Sequence, residues 1–536
     1  MKLRTGLMGA AATLAMAPAA FAERGSDGQL NIIMWQAPTL MHPYLSGGTK
    51  EVIAGSLVLE PLAGYDTEGQ IYPRLVTEIP SLENGGIAED LTSVTWKLRD
   101  DVKWSDGTPL TADDVVFTAE YCMDPEGGCA QLAKFEGITA VEAVDPQTVK
   151  VTFDSPRADP FSAFVGSQSP ILQKAQFEAC KGVNAPTCTD QNFGPIGTGP
   201  FRVTQFLTND TISLEANPEY RDAAKPAFAT VLVKGGGDAA GAARSVMETG
   251  EFDYAWNTQL APDVIAGMEA AGRGKVSAAF GTLVERIHVN LTDPSSSLPE
   301  GERSTAAHPH PFLSDPAVRK ALSMAIDRAL LVEIGYGTSG QPTCNYVPAP
   351  EAWASDNTEC LTQDIAGANA LLDEAGWTMG GNGVREKDGV QLNMVFQTSV
   401  NAVRQDFQAL IKQWWSEIGV QTELKTVDAS VFFGSDAGSP DTLQKFYADV
   451  EMYADNFDGN NPAPYLSKWT CDKAPSPANQ WQGENISRFC DPEYDRMVDE
   501  IEGIVDADER AAMGRTMNDM LTKDSNAIIP LVYRGT

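Results

Sequence analysis

The sequence predicts a mixed α/β fold of about three domains. Three observations lead there. The chain has 536 residues, 43% hydrophobic and 21% charged, the balance of a globular protein. At roughly 150 residues per domain, that length divides into about three cores. Some short runs alternate apolar and polar residues with the period of a half-buried strand. Others place apolar residues every three or four positions behind a capping residue, as helices do.

The elements follow in chain order. Lys2 and Arg4, the Ala/Leu-rich stretch Gly6 to Met16 and the triplet Ala20-Phe21-Ala22 make residues 1–22 a secretory signal peptide. Val94, Trp96 and Leu98 alternate with polar residues as a strand, and Ser105-Asp106-Gly107 turns the chain. Thr111 caps a helix whose first turn carries Asp113 and Asp114. Val149, Val151 and Phe153 form another strand. Gly194 to Pro200 reads as a hinge-like stretch, followed by a β-rich run from Phe201 to Leu214. Residues 292–311 are polar and Pro-rich and predict a long surface loop. Asp315-Pro316 starts a helix. Its stripe of Val318, Ala321, Leu322, Ala325 and Ile326 predicts continuation toward Gly335. Further helices are predicted over 364–375, from Asn401 to Gly419, from Asp491-Pro492, and over 507–522.

Charge and cysteines narrow the function. Asp and Glu number 73 against 39 Lys and Arg, a net charge of −34. Such a chain repels phosphate backbones, which argues against nucleic acid as partner. No run after the leader is long and apolar enough to span a membrane. The first cysteine is Cys122, so no lipid-bearing cysteine follows the cleavage site. A free, exported protein of the periplasm is expected. Eight cysteines suit that compartment. Taken in order they pair as Cys122–Cys129, Cys180–Cys188, Cys344–Cys360 and Cys471–Cys490. No catalytic serine elbow, zinc-binding HExxH or phosphate-binding loop occurs. His308-Pro309-His310 reads as loop, and Asp455 to Asn461 matches a calcium loop only loosely. No cofactor, no metal and no enzymatic chemistry are expected.

A longer set of motifs carries a resemblance. Thr95-Trp96-Lys97-Leu98-Arg99, followed by Val102-Lys103-Trp104-Ser105-Asp106-Gly107-Thr108-Pro109-Leu110-Thr111-Ala112-Asp113-Asp114-Val115, resembles the signature of the extracellular solute-binding proteins of family 5. These are peptide- and nickel-type receptors of ABC importers. The resemblance extends along the chain through Leu57 to Leu62, Gly197-Thr198-Gly199-Pro200-Phe201, Asn217-Pro218-Glu219-Tyr220 and Gly250-Glu251-Phe252-Asp253. It goes on through Val318 to Arg328, Ala370 to Trp377 and Asp491-Pro492-Glu493-Tyr494-Asp495.

The resemblance implies a two-lobed periplasmic-binding-protein fold, its lobes joined by a hinge and an extra domain inserted in lobe I. The implied boundaries are 23–53 and 191–284 for the lobe I core, 54–190 for the insert and 285–533 for lobe II. The return of the C-terminus to lobe I is apparently short or missing, since three residues follow Tyr533. It further implies a monomer that captures a small solute or short peptide and delivers it to the importer's permease subunits in the inner membrane. In peptide-binding members an aspartate of lobe II pairs with the ligand's α-ammonium. Asp455 falls on that position, with Asn456 and Phe457 beside it. Trp256, Asn257 and Tyr44 are candidate pocket walls. Thr398 and Ser399 stand where dipeptide receptors carry an arginine for the ligand carboxylate, and Arg404, inside the helix, reads as structural. Longer peptides, amine-bearing solutes, opines and oligosaccharides stay open as ligands. The alternative of another class is a secreted acidic hydrolase.

Overall fold

The computed structural model describes residues 23–535; the signal peptide expected over 1–22 lies outside them. Two main sheets and one smaller sheet organise the chain.

The first sheet has five strands in the order Tyr254–Trp256, Gln29–Met34, Thr230–Gly235, Thr211–Ala216 and Phe201–Leu207. Gln29–Met34 runs parallel to both neighbours, so its last residue, Met34, lies level with Trp256 and Gly235. The β-rich run is a hairpin, Phe201–Leu207 against Thr211–Ala216. Ile212, Leu214, Val231 and Val233 alternate inward and bury their side chains with Met34, Met41 and Val58. The Gly194–Pro200 stretch is packed rather than hinge-like. A Cβ on Gly197 would stand 1.9 Å from the Val58 carbonyl oxygen, and Gly199 donates its N–H to that oxygen at 2.8 Å. Glycine is needed there for close approach, not for movement.

In the chain between Gln29–Met34 and Phe201–Leu207 comes a three-stranded antiparallel sheet, ordered Ser93–Lys97, Thr148–Phe153 and Ile138–Asp145. The helix Ala112–Met123 packs with it. Thr111 and Asp114 form a reciprocal capping box, and Asp114 also accepts the Trp104 indole N–H at 3.3 Å. Trp96, Trp104, Phe117 and Tyr121 fill this core.

The second large sheet has six strands, ordered Gly340–Pro342, Ile528–Gly535, Phe280–Val289, Val450–Asp455, Asn393–Ser399 and Gln421–Val427. Phe280–Val289 runs through position 285, where lobe II is expected to begin, and pairs only within this sheet. The Ile529 to Tyr533 string lies in the sheet's interior. Ala402–Glu417 is capped by Asn401, as its sequence predicts, and buries Phe407, Ile411 and Trp415. The stripe after Asp315 differs from expectation. It makes two helices, Pro316–Met324 and Arg328–Gly335, because Asp327 caps the second by accepting from the Leu330 N–H at 3.0 Å. That turn sends Arg328 into the core, where it donates to the Pro530 carbonyl at 2.7 Å and the Cys360 carbonyl at 2.8 Å. All four cysteine pairs expected from their order are joined.

Glu451 lies on the central strand Val450–Asp455, fully buried, with one carboxyl oxygen accepting from the Gln397 amide at 2.8 Å. Burial raises its pKa to about 8. The folded state therefore holds this proton more tightly than the unfolded chain. The resulting stability is present in full below the ordinary carboxyl value and is lost as pH rises toward 8, at up to ~1.4 kcal/mol per pH unit. Glu451→Gln should match the parent's melting temperature near pH 4 and exceed it near pH 8, as thermal unfolding followed by circular dichroism would report.

Candidate functional site

The two lobes enclose a cavity of about 640 Å³, within the range of about 300–1,000 Å³ that small-molecule sites occupy. Contacts from opposite sides close its mouth. Gly47 N–H donates to the Phe433 carbonyl at 3.3 Å, Ser435 Oγ to the Leu45 carbonyl at 2.8 Å, and Gln480 Nε2 to the Pro125 carbonyl at 2.8 Å. Asn461 Nδ2 donates to Asp159 Oδ2 at 2.6 Å. This is a closed arrangement of the lobes.

On the first lobe the wall is Tyr254, Trp256 and Asn257. The strand Tyr254–Trp256 ends here, and Asn257 takes a left-handed φ of 53°, which asparagine tolerates better than most residues. Trp35 Nε1 holds it by donating to its carbonyl at 2.9 Å.

On the second lobe the wall is built on charge. Asp455 ends its strand with Oδ1 accepting the Asn456 N–H at 2.9 Å and Oδ2 accepting from Arg286 Nη2 at 3.2 Å. Lys468 Nζ stands 3.8 Å from the same oxygen and 3.2 Å from Glu484 Oε1. Burial pushes the Asp455 carboxyl up, but Lys468, Arg286 and the Asn456 N–H together hold it below its ordinary value. Arg286 is buried, with its guanidinium 4.8 Å from the Tyr346 ring centroid, 5.3 Å from Tyr453 and 5.8 Å from Tyr465. Its Nε donates to His288 Nε2 at 2.9 Å. That requires a neutral His288, whose pKa is lowered by burial and by the Arg286 and Lys468 charges.

A second charged group backs the cavity. Arg404 Nε donates to Glu285 Oε1 at 2.7 Å, and Arg534 Nε lies 3.5 Å from Glu285 Oε2. Burial would raise the Glu285 carboxyl, but the two arginines keep it below its ordinary value.

The structure thus brings Asp455, Asn456, Trp256 and Asn257 to one cavity. Phe457 turns away from it. It lines a smaller side cavity of about 80 Å³ and packs 5.2 Å from the Tyr465 ring. Tyr44 is not a pocket wall. It is fully buried in the core around Trp104, and its hydroxyl donates to the Pro170 carbonyl. Thr398 and Ser399 are interior as well: Thr398 Oγ1 donates to the Met452 carbonyl at 2.6 Å, and Ser399 Oγ accepts from Arg404 at 2.7 Å. Sequence reasoning missed Arg286, Lys468 and Glu484. For Arg286 there was a signal, since Glu285-Arg286-Ile287-His288 places three ionisable residues in a strand that is otherwise apolar. Among the described residues no group of three or more His, Cys, Asp and Glu is placed to hold a metal ion.

Comparison with known proteins sets this geometry in a family. The model described as bacterial extracellular solute-binding proteins, family 5 Middle, matches residues 70–476. The chain belongs to that family. Among curated family relatives, Protein XP55 of Streptomyces lividans is 26% identical over 389 residues, 72% of this chain and 65% of that protein. The periplasmic murein peptide-binding protein MppA of Escherichia coli K12 is 24% identical over 487 residues, 86% of this chain and 79% of that protein. Among solved structures, the oligopeptide-binding protein AppA of Bacillus subtilis, in complex with a nonapeptide, superposes with a TM-score of 0.78 at 19% identity, covering 96% of this chain and 94% of that one. The two-lobed fold expected from the sequence is the fold of these structures.

Tyr44 offers a check on the assignment of walls and core. Tyr44→Phe leaves the Pro170 carbonyl unpaired and should cost about 1–3 kcal/mol in urea unfolding. The same variant should bind ligand with unchanged affinity.

Proposed function

We propose that the chain is the periplasmic receptor of an ABC importer, enclosing a peptide or other amine-bearing solute between its lobes and presenting it to the membrane permease. The observation that carries this is the closed interlobe cavity with the Asp455 carboxylate on its wall. Related proteins support the ligand class: MppA is named for murein peptide, and AppA was solved with a nonapeptide. The secretory leader read in residues 1–22 supports export. A fixed, charge-assisted pair with Asp455 would orient the ligand's amine as well as hold it. Closure follows from differential affinity, since a ligand touching both walls binds the closed form more tightly than the open one. The permease would then recognise the closed outline.

A thermal-shift screen of residues 23–536 against di- to pentapeptides, amino acids, polyamines, opines and oligosaccharides tests this. A ligand at about 100 times its dissociation constant should stabilise by about 2.7 kcal/mol. Asp455→Asn should weaken an amine-bearing hit by about ten- to a hundredfold, the worth of a hydrogen bond to a charged group. A sugar hit indifferent to Asp455→Asn would overturn the amine reading. Because the Asp455 carboxyl is held below its ordinary value, affinity should stay level from neutral pH down to about 4 and fall only below that.

A further inference from the structure

Asp455 does not meet the cavity as a lone carboxylate. From inside, the wall presents carboxylate, ammonium and carboxylate in a row: Asp455, Lys468 and Glu484, with side chains 30%, 25% and 23% exposed. The ammonium in the middle stands 3.2 Å from Glu484 Oε1 and 3.8 Å from Asp455 Oδ2, an ion-pair distance too long for a hydrogen bond, so at most one of its three N–H groups is committed, to Glu484. Lys468 Nζ also lies 5.1 Å from the Tyr465 ring centroid, a cation–π contact. Behind the row, Arg286 occupies Asp455 Oδ2 from the buried side and Asn456 N–H occupies Oδ1. A carboxylate has about four acceptor positions. Arg286 and Asn456 take two, which leaves positions open for the ligand.

This arrangement discriminates between two kinds of amine. A ligand bearing only an ammonium at Asp455 would stand against the Lys468 ammonium in a partly desolvated site, where like charges repel more strongly than in water. A ligand bearing an ammonium and a carboxylate on one carbon would meet both: its ammonium takes an open position on Asp455, and its carboxylate takes an open N–H of Lys468. We infer that the Asp455–Lys468–Glu484 row reads an α-amino-acid head group, ammonium and carboxylate together, and that Lys468 is the residue that sets this specificity. The inference rests on the receptor reading above and adds the ligand's head group to it.

Two isomers isolate the point. γ-Glutamyl-alanine and α-glutamyl-alanine have the same atoms and the same net charge. Only the γ-linked isomer keeps its ammonium and a free carboxylate on one carbon. Isothermal titration of the intact chain should show the γ-linked isomer binding at least about tenfold more tightly, the value of one well-formed ion pair in a shielded site. In Lys468→Met the preference should vanish while the protein stays folded, and in Asp455→Asn both isomers should weaken. Equal or tighter binding of the α-linked isomer to the parent chain would overturn the inference, whatever the variants do. Retention of the γ preference in Lys468→Met would overturn the role of Lys468. If neither isomer binds but an amine without a carboxylate on the same carbon, such as a polyamine, does, the head-group reading fails and the receptor reading stands. If no solute of the screen binds, both fail.

Discussion

The second lobe depends on keeping one guanidinium out of water. A buried charge is costly unless it is paired and its hydrogens are satisfied. Arg286 meets that condition with the Asp455 carboxylate and carbonyl, a neutral imidazole and three aromatic faces. Each partner comes from a different place in the chain. His288 shares the arginine's strand, Asp455 and Tyr453 lie on the neighbouring strand, and Tyr346 and Tyr465 come from separate segments beyond the sheet. Satisfying Arg286 thus fixes the register of two central strands and the position of the aromatic cluster behind the cavity. It also fixes the rotamer of Asp455, so the carboxylate offered to a ligand is already oriented.

Much of the fold was legible because its signals are local. Thr111 with Asp114, Asp315 with Pro316, Asn401, and Asp491 with Pro492 are capping pairs that act within a turn, and each starts the helix it announces. Strand alternation at Val149 to Phe153 works the same way. The failures have the opposite character. The stripe running past Ala325 looked continuous because periodicity does not register that Arg328 has to reach carbonyls far along the chain. The Gly197 stretch looked loose because the sequence does not show the Val58 backbone lying against it.

The site divides along the same line. Asp455 was named because its segment resembles the family's acidic motif, and the structure places it on the cavity wall. Trp256 and Asn257 were named because they follow the Gly250-Glu251-Phe252-Asp253 stretch, and they line the same cavity. Arg286, Lys468 and Glu484 matter only through their distances to Asp455, and those distances exist only after the second lobe has folded. Tyr44 shows the converse. Its N-terminal segment suits a pocket wall by resemblance to the family, yet the core around Trp104 claims it. The net charge of −34 was similarly uninformative about the cavity, where acids and bases alternate at contact distance.

Glu484 lies on the loop closed by Cys471 and Cys490, a sequence separation of 19. The same loop supplies Gln480, which reaches across to the Pro125 carbonyl, and Gln482, which donates to the Ser435 carbonyl. Closing a loop of that length removes about 3 kcal/mol of conformational freedom from the unfolded chain in the entropic account. The crosslink also limits how far the loop can wander when the cavity is empty. A solute entering the open form therefore meets Glu484 already near its place, and less of the binding energy goes into ordering the wall. On the receptor reading, the crosslink thus helps preorganise the wall although neither sulfur lines the cavity.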